Sequence, residues 1–122
     1  TSTTNTLVDT GLTATITPSA TSSKILCLIN QAGCYKNNNT DMKLVLQRNG
    51  STIYQPAKYA LYTASSAQQR DSFVANYLDS PATTSSVTYK TQFASNENIT
   101  DVRVQNEGAE SVSTLILMEI SV

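Results

Sequence analysis

The feature that most narrows the fold of this chain is the Asn49-Gly50 pair, which lies between two strand-like runs. Both residues tolerate positive φ, the requirement of a two-residue type I′ turn, so the pair marks a β-hairpin. On one side Met42, Leu44 and Leu46 alternate along Met42–Arg48; on the other a strand begins near Ser51 and carries Ile53 and Tyr54. Pro56 confines that second strand to an edge or ends it.

The same period of two recurs along the chain. Leu12, Ala14 and Ile16 alternate with threonines between Gly11 and Pro18, giving a strand over 12–17. Over Asp71–Asp79, Phe73, Ala75 and Tyr77 take one face and Ser72, Val74, Asn76 and Leu78 the other. Over Val87–Ala94, Val87, Tyr89, Thr91 and Phe93 share a face, and 99–105 reads as a short strand with Val102 and Val104. Two runs are apolar on both faces: Lys24–Asn30 and Ser111–Ile120. Tyr59, Leu61, Tyr62, Ala64 and Ala67 fall in Ala57–Gln69, which fits a short helix, a strand or an irregular loop.

About eight short strands with turn signals every 8–12 residues predict an all-β antiparallel sandwich, jelly-roll-like in its winding. Composition agrees. Charged residues make up 14% of the 122, against about 25% in an average protein. Abundant Ser, Thr and Asn suit the wet faces of strands better than long surface helices. The expected organisation is a flexible linker over 1–6 followed by a single sandwich domain over 7–122. Thr1 in place of Met is what a processed chain or an excised domain shows.

Several functions are disfavoured by what is missing. With no His, a His-based triad and an ordinary zinc site are excluded. The nine carboxylates are dispersed, with Asp9, Asp41, Asp71, Asp79 and Asp101 at strand ends like solvated turn residues. Glycines are isolated, so no phosphate loop is present. The net charge is −1 with no basic stripe, which argues against nucleic acid, and no apolar stretch approaches a membrane helix. Neither a cofactor nor a metal is expected. Cys27 reads as a buried thiol inside an apolar run, with a Cys27–Cys34 disulfide as the alternative. Glu119 interrupts the last apolar strand, so it either faces solvent or pairs with a cation such as Arg103 or Arg48. The glycosylation-type triplets at Asn38, Asn49 and Asn98 carry no weight in so Asn-rich a chain.

Val8-Asp9-Thr10-Gly11-Leu12, Ile16-Thr17-Pro18 and Ser22-Ser23-Lys24-Ile25-Leu26 open the chain in a recognisable order. Leu46-Gln47-Arg48-Asn49-Gly50 follows, then Tyr77-Leu78-Asp79-Ser80-Pro81 and Val87-Thr88-Tyr89-Lys90-Thr91-Gln92-Phe93, and finally Ser113–Ile120. Together these blocks span nearly the whole chain. They resemble the small C-terminal head or tip domains of bacteriophage tail-fibre and tail-associated proteins, many from phages of aquatic bacteria. The resemblance implies a β-rich virion domain, trimeric and displayed at the end of an extended fibre shaft. It carries over no catalytic or ligand residue.

The expected function is therefore non-enzymatic attachment to a host-surface glycan or protein, joined to fibre trimerisation. The alternative is a structural trimerisation cap or a capsid decoration without a ligand, and a depolymerase stands third. Recognition is expected on loops, at Tyr35, Asn37, Asn38, Asn39, Tyr59 and Tyr62, while Tyr77 and Tyr89 read as core. Four consecutive apolar residues, Leu115, Ile116, Leu117 and Met118, cannot all be covered by one thin sandwich, so they are the expected seam between copies. If no copy covers them, the 57–69 segment is the other candidate cover.

Overall fold

The computed structural model describes residues 1–97 and 100–122. Eight strands are found among them: β1 (Val8–Ile16), β2 (Lys24–Lys36), β3 (Met42–Arg48), β4 (Ser51–Ala60), β5 (Gln69–Asp79), β6 (Val87–Ser95), β7 (Val102–Arg103) and β8 (Thr114–Ile120). They form two antiparallel sheets packed face to face. One has the order β1-β6-β3-β4; in the other β2 is central, with β5 along one side and β8 then β7 along the other. This order establishes the sandwich expected from the strand pattern, although it does not by itself establish jelly-roll winding.

The hairpin forms where Asn49-Gly50 places it, with φ of 48° and 86° and Arg48 opposite Ser51. The Asn49 side chain also accepts the Thr88 N–H at 2.9 Å, fastening the turn to β6. Pro56 falls in a bulge of β4, an edge strand, where its missing N–H costs no ladder bond. Ala57–Ala60 continues β4, so the ambiguous segment is strand and then loop.

Three boundaries differ from the sequence reading. The first strand starts at Val8 and runs through Gly11, because a two-residue bulge between Asp9 and Thr13 absorbs the irregularity; Thr10 secures it by bonding Thr91. Ser2, read as linker, is buried and exchanges backbone hydrogen bonds with Val102 in both directions, at 2.7 and 2.9 Å. The late short strand is reduced to Val102–Arg103, and the Ile99 part of that expectation lies outside the described residues.

β2 is longer than its apolar run. A one-residue bulge between Gln31 and Cys34 carries the strand on to Lys36, and it reverses which side chains point inward. Ile25, Cys27, Ile29 and Gln31 face the other sheet before the bulge, and Cys34 does so after it. Gly33 makes this possible. Its φ is +61°, and a Cβ there would lie 2.7 Å from the Asn106 nitrogen. The Gly33 and Ala32 carbonyls accept the Asn106 and Gln105 N–H groups at 2.9 and 3.1 Å.

The core is divided. One cluster gathers Ile25, Cys27, Ile29, Leu46, Val87 and Tyr89, with Leu115 and Leu117 packed on it; the other gathers Cys34, Met42, Leu44, Phe93 and Val102. A polar belt runs between them. Thr10 meets Thr91 at 2.5 Å, and Thr91 donates to Gln31 Oε1 at 3.3 Å. Gln31 donates to Ser113 at 3.2 Å, and Ser113 to Gln105 at 2.5 Å. At the far end of the first cluster Asp79 is buried, which corrects its reading as a solvated turn residue. It accepts both Arg48 Nη1, at 2.8 and 2.9 Å, and the Tyr89 hydroxyl at 2.6 Å. Arg48 thus pairs with Asp79 and Arg103 with Asp101, so neither partners Glu119. The Glu119 carboxylate instead accepts the Ser19 N–H and hydroxyl, each at 2.7 Å. Hydrogen bonds from Ser23 and Ser19 hold it below the usual carboxylate range.

Two substitutions test this framework. Gly33→Ala adds a left-handed strain of about 1–2 kcal/mol to a backbone clash, so it should lower stability by roughly 2 kcal/mol or more in denaturant titration. Asp79→Ala strands the Tyr89 hydroxyl and a partly exposed Arg48, and should cost about 2–3 kcal/mol by the same measurement. Tyr89→Phe should cost about 1 kcal/mol.

Candidate functional site

The loops expected to carry recognition meet at one end of the sandwich, and they are braced from beneath. Lys36 is fully buried. Its Nζ donates to the Asn38 carbonyl at 2.8 Å and to the Thr63 hydroxyl, tying the β2–β3 loop to the β4–β5 loop. Burial pushes this ammonium below the ordinary lysine range. Thr40 and Asp41 are buried as well, which corrects the reading of Asp41 as a solvated turn residue. The Thr40 hydroxyl bonds Ser95 at 2.9 Å and the Glu97 carbonyl; Asp41 Oδ1 accepts the Glu97 N–H at 3.0 Å. Asn37 is half-buried: its N–H donates to the Asp101 carbonyl at 3.0 Å and its own carbonyl accepts the Thr100 hydroxyl at 3.1 Å.

Over this base the exposed side chains are those of Asn38, Asn39, Tyr59 and Tyr62, with Lys58 4.9 Å from the Tyr59 ring centre. Asn38 holds φ of 67°, a conformation Asn tolerates better than most residues. Five of the six residues expected to recognise a ligand therefore belong to one pole.

Tyr35 does not join them. It is 5% exposed and lies within β2, not in a loop. The bulge turns it away from the inter-sheet core, onto the outer face of its sheet. Arg70 of β5 and Arg103 of β7 flank it there, each guanidinium 5.3 Å from the ring centre. This cross-strand Arg–Tyr–Arg row was not visible in the sequence, since register decides it. Arg103 is in turn held by Asp101 at 2.7 Å.

The four residues expected at an interface separate by strand alternation. Leu115 and Leu117 pack into the core, whereas Ile116 and Met118 are 50% and 47% exposed on the outer face. The Ala57–Gln69 segment does not cover them, because Ala57–Ala60 belongs to the opposite sheet.

Among the described residues no three of Cys, Asp and Glu approach closely enough to hold a metal. No helix among them is long and apolar enough to cross a membrane. Both cysteines are free and buried, and burial pushes each thiol up to about 12. Burial, then the hydrogen bond to Asp79, raises the Tyr89 phenol as well.

These groups predict alkaline sensitivity. A thiol or phenol whose acidity is suppressed by folding stabilises the native state below its unfolded pKa and loses that contribution as pH rises toward the folded value. Unfolding free energy should therefore fall as pH climbs from about 9, the ordinary thiol value, to about 12, as Cys27 and Cys34 lose their folded-state protection. At neutral pH a thiol-specific reagent should label neither cysteine until denaturant unfolds the chain, when it should label both.

Comparison with protein-family models, with curated proteins and with solved structures finds no match to this chain.

Proposed function

We propose that this chain is the non-enzymatic head domain of a virion tail fibre, a homotrimer that attaches to a host-surface glycan or protein through its loop pole. The observation that carries the reading is the pole itself: outward Tyr59, Tyr62, Asn38 and Asn39 on loops held by buried Lys36, Thr40 and Asp41. Tyrosine offers a broad, rigid contact surface at small entropic cost, and amide side chains supply both a donor and an acceptor to hydroxyl-rich partners. Loops fixed from beneath lose little freedom on binding, which favours affinity. The resemblance to phage tail-fibre heads supplies the virion setting and the upstream shaft.

A purely structural cap or capsid decoration is the second reading. The exposed apolar face around Ile116 and Met118 favours it, since such a role needs an interface and no ligand.

Adsorption of the purified domain to host cells or a host-surface glycan panel separates the two. Under the attachment reading, Tyr59→Ala and Tyr62→Ala should each weaken binding about tenfold, roughly 1.4 kcal/mol, while changing stability by less than about 0.5 kcal/mol. A domain that binds no host component, or binds unchanged in the double variant, would overturn the attachment reading.

A further inference from the structure

We infer that the outer face of the β5-β2-β8 sheet is covered by another copy of this chain. The inference rests on the assembling half of the proposed function, not on attachment, and it names the surface involved. Register sets out that face row by row. Met118, Leu26 and Leu78 are aligned across β8, β2 and β5; Ile116, Leu28 and Asn76 form the next row; Thr114, Asn30 and Val74 the third. Val74 is 80% exposed, and Leu78, Ile116, Met118 and Ile120 are also open to solvent.

Three observations point to a second copy as the cover. The first is size. The exposed parts of those five residues amount to on the order of 400–500 Å² of largely apolar surface gathered on one face, a patch of the size that is often functional. That is over half of the ~800 Å² each partner contributes to a standard stable interface.

The second is the arrangement of charge. Within the three rows no residue is charged. Lys24 lies beyond one end, its Nζ on the Ser80 hydroxyl at 2.9 Å, and Arg70, Tyr35 and Arg103 lie beyond the other. An apolar centre with a polar rim is the anatomy of a protein interface. A face without charge does not repel itself, and the Asn30 and Asn76 amides each carry a donor and an acceptor, so they suit their own kind.

The third is contrast with the opposite sheet. Along β1 and β6 its outer face is polar: Thr15 meets Thr88 at 2.9 Å, Lys90 pairs with Asp9 at 2.9 Å, and Gln92 donates to Asp9 at 2.6 Å. The chain thus furnishes one wet side with hydroxyls and charges and leaves the other apolar.

Light scattering and sedimentation equilibrium on the intact 13.1 kDa chain test this. At micromolar concentration the mass should be a multiple of the monomer. Ile116→Lys and Met118→Lys should each raise the dissociation constant about 100-fold or more, because an ammonium would be desolvated without a partner. Asn38→Lys, at the loop pole, should leave the mass unchanged. Since both positions are exposed in one chain, circular dichroism should show the variants folded. A wild-type monomer at ~100 μM, a concentration at which a micromolar interface would be saturated, would overturn the inference. So would an assembly whose mass neither substitution alters. A two-copy mass abolished by the substitutions would uphold this surface and overturn the threefold reading.

Discussion

Much of this molecule follows from the place where β2 gains one residue relative to β5. Alternation alone would have carried Gln31, Gly33 and Tyr35 inward and left Cys34 outside. The bulge reverses that order, so Cys34 enters the second apolar cluster and Tyr35 meets Arg70 and Arg103 on the outer surface. It also marks where one neighbour gives way to another, β8 pairing with β2 up to Asn30 and β7 from Tyr35. The site is held from outside the strand: the backbone at Gln105–Asn106 lies against Gly33 closely enough to exclude a side chain, and bonds the bulge carbonyls. A bulge leaves ladder groups unpaired. Here those groups find partners in another segment, so the irregularity costs little and locks the 105–106 turn onto the sheet.

The polar belt performs a related task inside. Gln31 and Thr91 are buried where an all-apolar core would place leucines, yet no buried side-chain polar atom among the described residues lacks a partner. A satisfied network of this kind is close to neutral in stability but demanding in geometry. It fixes the two sheets against each other at one height, because Thr91 of β6 meets Gln31 of β2 only in the native alignment. Arg48, Asp79 and Tyr89 set a second such point near the hairpin end. With both fixed, the loop pole at the far end inherits a defined position from the sandwich beneath it.

The parts legible in the sequence are those that depend on local alternation or turn chemistry. Met42–Arg48 and the Asn49-Gly50 turn formed as read, and the residues grouped on one face of Asp71–Asp79 and of Val87–Ala94 do share a face; of Leu115–Met118, expected together at a seam, only Ile116 and Met118 lie outside. What escaped depends on partners distant in sequence. Lys36, Thr40 and Asp41 look like loop residues because they are polar and follow Tyr35, but contacts with Thr63, Ser95 and Glu97 bury them. Asp79 resembles a turn residue at the end of its strand, and only the approach of Arg48 and Tyr89 makes its burial affordable. Tyr35 was misplaced by a single residue of register. At the pole, Tyr59, Tyr62, Asn38 and Asn39 are exposed while Asn37 is half-buried, and the cation that braces them was invisible in the sequence.

The two outer faces raise a question of economy that the sequence alone could not pose. A strand alternates, so each threonine outside the β1-β6 pair matches an apolar residue inside, and the same rule on β8 should have placed polar groups opposite Leu115 and Leu117. Ile116 and Met118 occupy those positions instead, and Leu26, Leu28 and Leu78 repeat the choice on the two adjacent strands. Random drift toward apolar surface would scatter such residues over both sheets, where single ones are tolerated. Their concentration in aligned rows of one sheet, bounded by Lys24 at one end and by the Arg70–Tyr35–Arg103 row at the other, calls for a common physical cause. Exclusion of water from that face as a unit is such a cause. The loop pole adjoins the charged boundary and not the apolar centre, so covering the face would leave Tyr59 and Tyr62 outward, and assembly and recognition can occupy the same small domain without competing for the same residues.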